Sequence, residues 1–246
     1  MEIKKDKLYI VMPTYNEADN ITNVIEDWYP ILEKYGTDES KLVISDGGST
    51  DNTLDILYNL KKKYTKLEII PKPGTDHGTK VILLYKYAIN DGAEWIFQTD
   101  SDGQTDCTEF EQFWNLKDSY DCILGNRTKR GDGFFRYLIE LVLRIYVLIF
   151  FGVIVPDANA PFRLMKSNVV KKYIDLFDET FSLPNAILSA SFSKYKERVM
   201  YIPISFLPRQ GGTNYINVKR IAKYGLESIK SFWDIKCKMK DYQNEK

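Results

Sequence analysis

An alternation of short apolar runs with amphipathic stretches governs what this chain can fold into. Leu8–Met12 is a β-type run ended by Pro13, and the amphipathic stretch Ile21–Tyr35 follows, closed by Gly36. Lys41–Ser45 is the next strand. After the turn Asp46-Gly47-Gly48-Ser49, either Ser49 or Asp51 can cap a helix over Asn52–Lys63. Leu67–Ile70 is a third strand ending at Pro71, Gly78–Gly92 is helical, and Glu94–Thr99 is a fourth strand. This rhythm predicts an α/β fold with a mostly parallel sheet and helices on both faces. Ligands in such sheets bind beyond the carboxyl ends of the strands. The polar clusters of this chain sit at those ends, after Met12, after Ser45 and after Thr99.

The second half is less regular. Asp121–Gly125 reads as a strand, Phe134–Val155 as a long apolar and aromatic helix, and Pro156–Pro161 as a loop. Leu183–Tyr195 is helical, and Val199–Leu207 is a β run whose Pro203 suits an edge strand. Arg209–Asn214 is a Gly-rich loop, and a basic amphipathic helix runs from Asn217 to about Lys240. With 246 residues and no repeat or linker, a single large domain fits best.

Composition removes several function classes. Lys+Arg and Asp+Glu both number 34, and a neutral chain lacks the basic surplus that general nucleic-acid binders carry. The three cysteines, Cys107, Cys122 and Cys237, are widely spaced, which speaks against a disulfide framework or zinc knuckle and for a reducing compartment. Leu8–Met12 is too short for a signal peptide, and the apolar run Ile145–Val155 is shorter than the about 20 residues a membrane span needs. A cytoplasmic location is expected. No Gly-x-Gly-x-x-Gly follows any strand, which disfavours a dehydrogenase.

Three clusters carry chemistry. In Asp100-Ser101-Asp102, followed by Gly103-Gln104, two carboxylates at a strand end can aim at one site. Such oxygen ligands suit Mg²⁺ or Mn²⁺, which in turn bind a diphosphate; alone, the same pattern is also a solvated acidic turn. In Asp46–Thr53, glycine lets the backbone approach a ligand and Asp46 can accept hydrogen bonds from a nucleobase or ribose, or the segment is a capped turn. Pro13-Thr14-Tyr15-Asn16-Glu17 offers polar groups at the same sheet edge.

Together these three clusters resemble the family 2 glycosyltransferases, in order and spacing. Three further segments are similar to the branch that makes dolichol-phosphate mannose: Gly125-Asn126-Arg127, Asp157–Arg163, and Pro203–Phe206 followed by Arg209 and Gly212. The resemblance runs from about Tyr9 to Asn214. It implies an A-type glycosyltransferase fold, Rossmann-like and single-domain, over residues 1–246. A nucleotide-sugar-binding half would span about 8–125, an acceptor half about 126–215, and a C-terminal helix about 216–246. It further implies an enzyme using a UDP- or GDP-sugar, a divalent metal and a lipid-linked acceptor. By position, Pro13, Tyr15, Glu17 and Asp46 would hold the nucleoside. Asp100 and Asp102 would engage metal and diphosphate, and Gln104 would be a further metal ligand. Arg127, Arg163 and Arg209 would face phosphates, for which a planar guanidinium fork is suited. One departure stands out: Ser45-Asp46-Gly47-Gly48-Ser49 occupies the place where the family often has paired aspartates before one glycine.

The acceptor is less decided. Transfer to a hydroxyl needs a base, and the family often places a carboxylate just before the helix that begins here near Leu183. The nearest acids are Asp178 and Glu179, a few residues early. That favours a polyprenyl phosphate acceptor, which needs no base; a hydroxyl of a lipid-linked saccharide is the alternative. His77, the only histidine, is either a base or an incidental loop residue. In Phe134–Val155 the charged residues Arg136, Glu140 and Arg144 form one stripe on an otherwise apolar helix, which suits peripheral membrane contact, core burial or a dimer interface. Residues 217–246 carry eight Lys/Arg against four Asp/Glu and could touch anionic lipid or form a solvated helix. A nucleotidyltransferase and a catalytically inactive nucleotide-sugar-binding protein are the competing readings.

Overall fold

A computed structural model describes residues 4–130, 134–208 and 229–239. The expected alternation is present in the first half: β1 (Leu8–Thr14), α1 (Ile21–Tyr35), β2 (Lys41–Asp46), α2 (Thr53–Lys63), β3 (Leu67–Pro71), α3 (His77–Asn90) and β4 (Trp95–Gln98). A 3-10 turn at Cys107–Glu109 leads into α4 (Phe110–Trp114) and β5 (Cys122–Arg130). The long apolar helix is α5 (Phe134–Phe151). It ends at Gly152, whose φ of 71° is a left-handed conformation that glycine adopts without steric cost. Then come β6 (Arg163–Lys166), α6 (Ser167–Ile174), α7 (Pro184–Lys194) and β7 (Val199–Phe206). Residues 229–239 are helical.

The seven strands of the described residues join one sheet in the order β3-β2-β1-β4-β6-β5-β7. Only β6 runs against the others, pairing antiparallel with both β4 and β5. The remaining ladders are parallel, so β1, β2, β4, β5 and β7 end at one edge. β7 lies at the end of the sheet, where Pro203 withholds no needed ladder donor. Strand β6, helix α6 and helix α4 were not among the expected elements. β6 is only four residues long and is bounded by Arg163 and Lys166, so it lacks a strand's apolar signature.

Alternate residues of the buried strands face two cores. Leu8, Ile10 and Met12 pack with Trp28 of α1, Leu57 of α2 and the rings of Phe97, Phe110 and Phe162. Tyr9 and Val11 face α3, α5, α6 and α7 on the other side. Helix α1 buries Ile21, Val24, Ile25, Trp28, Leu32 and Tyr35, the spacing of a single helical face.

Helix α5 is amphipathic in an unusual sense. Glu140, Leu143, Val147 and Phe151 face inward, while Tyr137, Leu138, Leu141, Val142, Ile145, Leu148 and Ile149 are exposed. Glu140 and Arg144 therefore turn toward the protein while much of the aliphatic surface of the helix faces solvent. Phe232 of the 229–239 helix is fully buried against Tyr146, Phe150 and Phe151, and Trp233 remains exposed.

Candidate active site

The loops after β1 and β2 are laced together at the sheet edge. Asn16 adopts a left-handed φ of 55°, a conformation asparagine tolerates better than most side chains. Its backbone amide donates to Ser49 Oγ (2.9 Å), and its side-chain oxygen accepts from the Thr50 amide (2.8 Å). The Glu17 amide donates to Thr53 Oγ1 (2.9 Å) and the Ala18 amide to Asp51. Burial pushes the Asp51 carboxyl up, but hydrogen bonds from Thr53 and Ala18 outweigh it and leave the group below its ordinary value. Asp51 thus joins the two loops, and Ser49 does not cap α2, whose N-cap is Asn52.

Asp46 ends β2 and is fully buried. One carboxylate oxygen accepts from the amides of Gly48 (2.8 Å) and Ser49 (2.9 Å), and the other from Ser49 Oγ (2.5 Å). Three of the roughly four acceptor positions of this carboxylate thus shape its own turn. Gly48 has φ of 87°, so this turn needs a glycine. Pro13 is buried opposite Ser45 in the β1–β2 ladder, Glu17 is buried with Asn20 Nδ2 donating to it at 2.8 Å, and Tyr15 is 43% exposed.

The Asp100-Ser101-Asp102 turn sits beside them. Ser101 Oγ donates to the Pro13 carbonyl (3.0 Å), and Thr99 Oγ1 lies 2.8 Å from Thr105 Oγ1. Asp100 Oδ1 lies 3.1 Å from His77 Nε2 and 3.4 Å from Gln98 Nε2. Asp102 Oδ1 accepts from the Gln104 amide (3.1 Å). The buried Gln104 donates its side-chain amide to the Leu207 carbonyl (2.7 Å), which ties the turn to the end of β7. Asp100 and Asp102 are hard oxygen donors suited to Mg²⁺ or Mn²⁺. Among the described residues no three His, Cys, Asp or Glu side chains group around a common ion position. Two carboxylates with substrate phosphates and water completing the shell is an ordinary arrangement for Mg²⁺, so the residues fit such a cation.

Lys80 of α3 lies beneath these loops. It is 4% exposed, and its Nζ donates to the Thr14 carbonyl (2.7 Å) and sits 5.6 Å from the Tyr15 ring centre. Burial lowers its pKa, while Asp46, Asp100, Asp76 and Glu17 oppose that shift; the net direction is down. Lys80 is not among the candidate residues read from the sequence. Its signal was position: Lys80, Leu84 and Ala88 follow one another at intervals of four on the buried face of α3.

Two of the three expected arginines engage protein groups. Arg163 is fully buried and donates to the carbonyls of Ala160 (3.1 Å) and Asn185 (3.2 Å) and to Ser189 Oγ (2.8 Å), so it holds the scaffold instead of facing a phosphate. Through the Asn185 segment it supports the Asp100–Asp102 turn indirectly, because Asn185 Nδ2 donates to Gln98 Oε1 (2.8 Å) and Gln98 reaches Asp100. Arg127 grips Asp157 with Nε (2.7 Å) and Nη2 (2.8 Å), and Nη2 also reaches Glu140 (3.2 Å). Its guanidinium lies 5.3 Å from the Phe206 ring centre. Carboxylates thus occupy the fork expected to meet phosphate. Arg209 and Gly212 lie outside the described residues. Asp178 and Glu179 are exposed and pair with Lys238 (3.1 Å) and Lys86 (3.9 Å), respectively.

The model of the family described as Glycosyl transferase family 2 matches residues 9–174. A dolichyl N-acetyl-alpha-D-glucosaminyl phosphate 3-beta-D-2,3-diacetamido-2,3-dideoxy-beta-D-glucuronosyltransferase of Methanococcus voltae is 36% identical over 83 residues, covering 34% of this chain and 23% of that protein. A dolichyl-phosphate beta-glucosyltransferase of Trichomonas vaginalis is 26% identical over 106 residues, 42% of this chain and 31% of that protein. The chain therefore spans less than a third of the length of either curated relative. Among solved structures, glucosyl-3-phosphoglycerate synthase from Mycobacterium tuberculosis, in complex with Mn²⁺, uridine diphosphate and glucosyl-3-phosphoglycerate, superposes with a TM-score of 0.67 at 14% identity, covering 94% of this chain and 80% of that one. The shared architecture bears out the fold expected from the sequence.

Proposed function

The chain belongs to glycosyl transferase family 2, and from that premise we propose that it transfers a sugar, with inversion, from a nucleotide-sugar to a lipid-linked acceptor at a membrane surface. One observation carries the donor half of this reading. The Asp100–Asp102 turn is bonded to Pro13, whose loop is in turn laced to the Asp46–Thr53 turn, so three polar segments form one rigid edge. A Mg²⁺ or Mn²⁺ bound there would neutralise the diphosphate leaving group. Asp100 and Asp102 hold the cation, Tyr15 offers a half-exposed ring to the nucleoside, and Gln104 fixes the turn against β7. Relatives and neighbours support the substrate class: two relatives carry dolichyl-linked substrates in their names, and the solved neighbour holds UDP with Mn²⁺.

For the acceptor we favour a polyprenyl phosphate. Asp178 and Glu179 are drawn outward by lysines, which leaves them poor candidates for a base acting on a hydroxyl. The exposed aliphatic face of α5 supports peripheral contact with a cytoplasmic membrane surface, where a lipid acceptor would reside. No helix among the described residues is long and apolar enough to cross a membrane. The test is to incubate the full chain with UDP- and GDP-sugars, Mn²⁺ and either polyprenyl phosphate or a polyprenyl-diphosphate saccharide. Glycolipid formed on the phosphate supports this reading. Product only on the saccharide moves the acceptor to a hydroxyl, and no transfer with any donor refutes the activity.

A further inference from the structure

Asp100 Oδ1 is met by His77 Nε2 at 3.1 Å and by Gln98 Nε2 at 3.4 Å. An ionised carboxylate only accepts, so both side chains must turn an N–H toward it. Behind Gln98 the same chemistry fixes each amide in turn. With Nε2 given to Asp100, Gln98 Oε1 accepts from Asn185 Nδ2 (2.8 Å), and Asn185 Oδ1 accepts from the Tyr85 hydroxyl (2.8 Å), which also lies 3.1 Å from Gln98 Oε1. The donors therefore run one way, from Tyr85 through Asn185 and Gln98 to Asp100. Tyr85, Gln98 and Asn185 are all buried, where a donor or acceptor left unmatched is costly.

His77 is placed by the same junction of α3 and α7. One oxygen of Asp76 caps α3 by accepting from the Thr79 amide (2.8 Å), and the other accepts from Ser182 Oγ (2.7 Å), just ahead of α7. Gly78 lets the first turn of α3 close on that segment: a Cβ there would lie 2.4 Å from the Phe181 carbonyl oxygen.

Resting on the cation reading above, we propose that His77 and Asn185 are positioning residues for Asp100, setting the rotation of its carboxylate toward the divalent cation, His77 directly and Asn185 through Gln98. Partners of this kind orient a metal ligand without touching the ion and carry a large share of its affinity. His77 is then neither a base nor an incidental loop residue. Position 185 needs an amide: an aspartate of the same shape would set an acceptor against Gln98 Oε1, and turning Gln98 over to relieve this would set its carbonyl against Asp100.

Calorimetry on the full chain, with UDP or GDP, whichever binds, is run once with Mn²⁺ and once in EDTA; the ratio of the two affinities is the gain due to the cation. His77→Leu and Asn185→Asp should each cut that gain about tenfold or more and leave the affinity in EDTA close to wild type. His77→Gln keeps an N–H on a half-exposed side chain and should restore part of the gain. Should Asn185→Asp melt below assay temperature, Tyr85→Phe, which removes the first donor of the series, takes its place. The proposal is overturned if either position can be changed with the full gain kept, or if affinity falls equally in Mn²⁺ and EDTA, the mark of a loosened fold. A wild-type chain that binds nucleotide but gains nothing from Mn²⁺ overturns the cation reading itself.

Discussion

Ser101 Oγ donates a 3.0 Å hydrogen bond to the carbonyl of Pro13, joining the middle of the Asp100–Asp102 turn to the end of the first strand. Both residues are buried, so water cannot replace this bond at no cost. Ser101→Ala should lower stability by about 1–3 kcal/mol, because the Pro13 carbonyl loses its side-chain partner. Activity should fall through weaker donor use, seen as a raised KM. Thermal melts and steady-state kinetics at varied donor concentration check both.

Asp102 makes its effect through charge. Asp102→Asn should remove most transfer activity while leaving the melting temperature close to wild type, since one anionic ligand toward Mg²⁺ or Mn²⁺ is lost. EDTA should have the same effect on the unmodified protein. Full turnover in EDTA would exclude the cation.

Asp46→Ala should be a stability variant first. It leaves two amides and a hydroxyl without their acceptor in a half-buried turn, at a cost of about 2 kcal/mol. Weaker nucleotide binding would follow from the loosened turn. Chemical denaturation beside calorimetry separates the two; an unchanged midpoint with lost binding would return Asp46 to direct contact with the nucleoside.

Glu140 gives a pH dependence. Burial, reinforced by the nearby Asp157 carboxylate, pushes its pKa up to about 8. A carboxyl raised above its unfolded value of about 4.3 favours the folded state when protonated. That contribution is whole below the unfolded value and is lost as pH rises toward 8. Glu140→Gln mimics the protonated form, so its melting temperature should exceed that of the wild type at pH 9 and differ little at pH 5. Equal melting curves at both values would contradict the shift.

The exposed face of α5 can be charged without touching the core, since Ile145 is 45% and Ile149 64% exposed. The double variant Ile145→Glu, Ile149→Glu should lose binding to phosphatidylcholine–phosphatidylglycerol vesicles and keep its melting temperature. Unaltered sedimentation with vesicles would place membrane contact elsewhere.

The first half of the fold was legible because its strands are short apolar runs, three of them closed by proline or glycine and the fourth by the Asp100–Asp102 turn, and because α1 carries one buried stripe. Pro13, Tyr15, Asp46, Asp100 and Asp102 could be grouped because a parallel sheet gathers its strand ends at one edge. What could not be read was which polar groups serve the scaffold. Arg163 lies in a motif that resembles a phosphate-binding one, yet its guanidinium is consumed by Ala160, Asn185 and Ser189. Asp157 and Glu140 lie 30 and 13 residues beyond Arg127, and no local pattern announces that they close on it. Lys80 was overlooked because a lysine on a helix is ordinarily assigned to solvent; only its place on the buried face marks it.

The single reversed strand has a mechanical consequence. β6 is bonded on one side to β4, which leads into the Asp100–Asp102 turn, and on the other to β5, which carries Arg127. The two halves of the chain therefore share one continuous hydrogen-bonded ladder, with no seam along which they could swing apart. Domain hinging would require tearing backbone bonds in the middle of the sheet. The Asp100–Asp102 turn and the Arg127 strand are thereby held in one frame, to which Asn185 of α7 is pinned through Gln98.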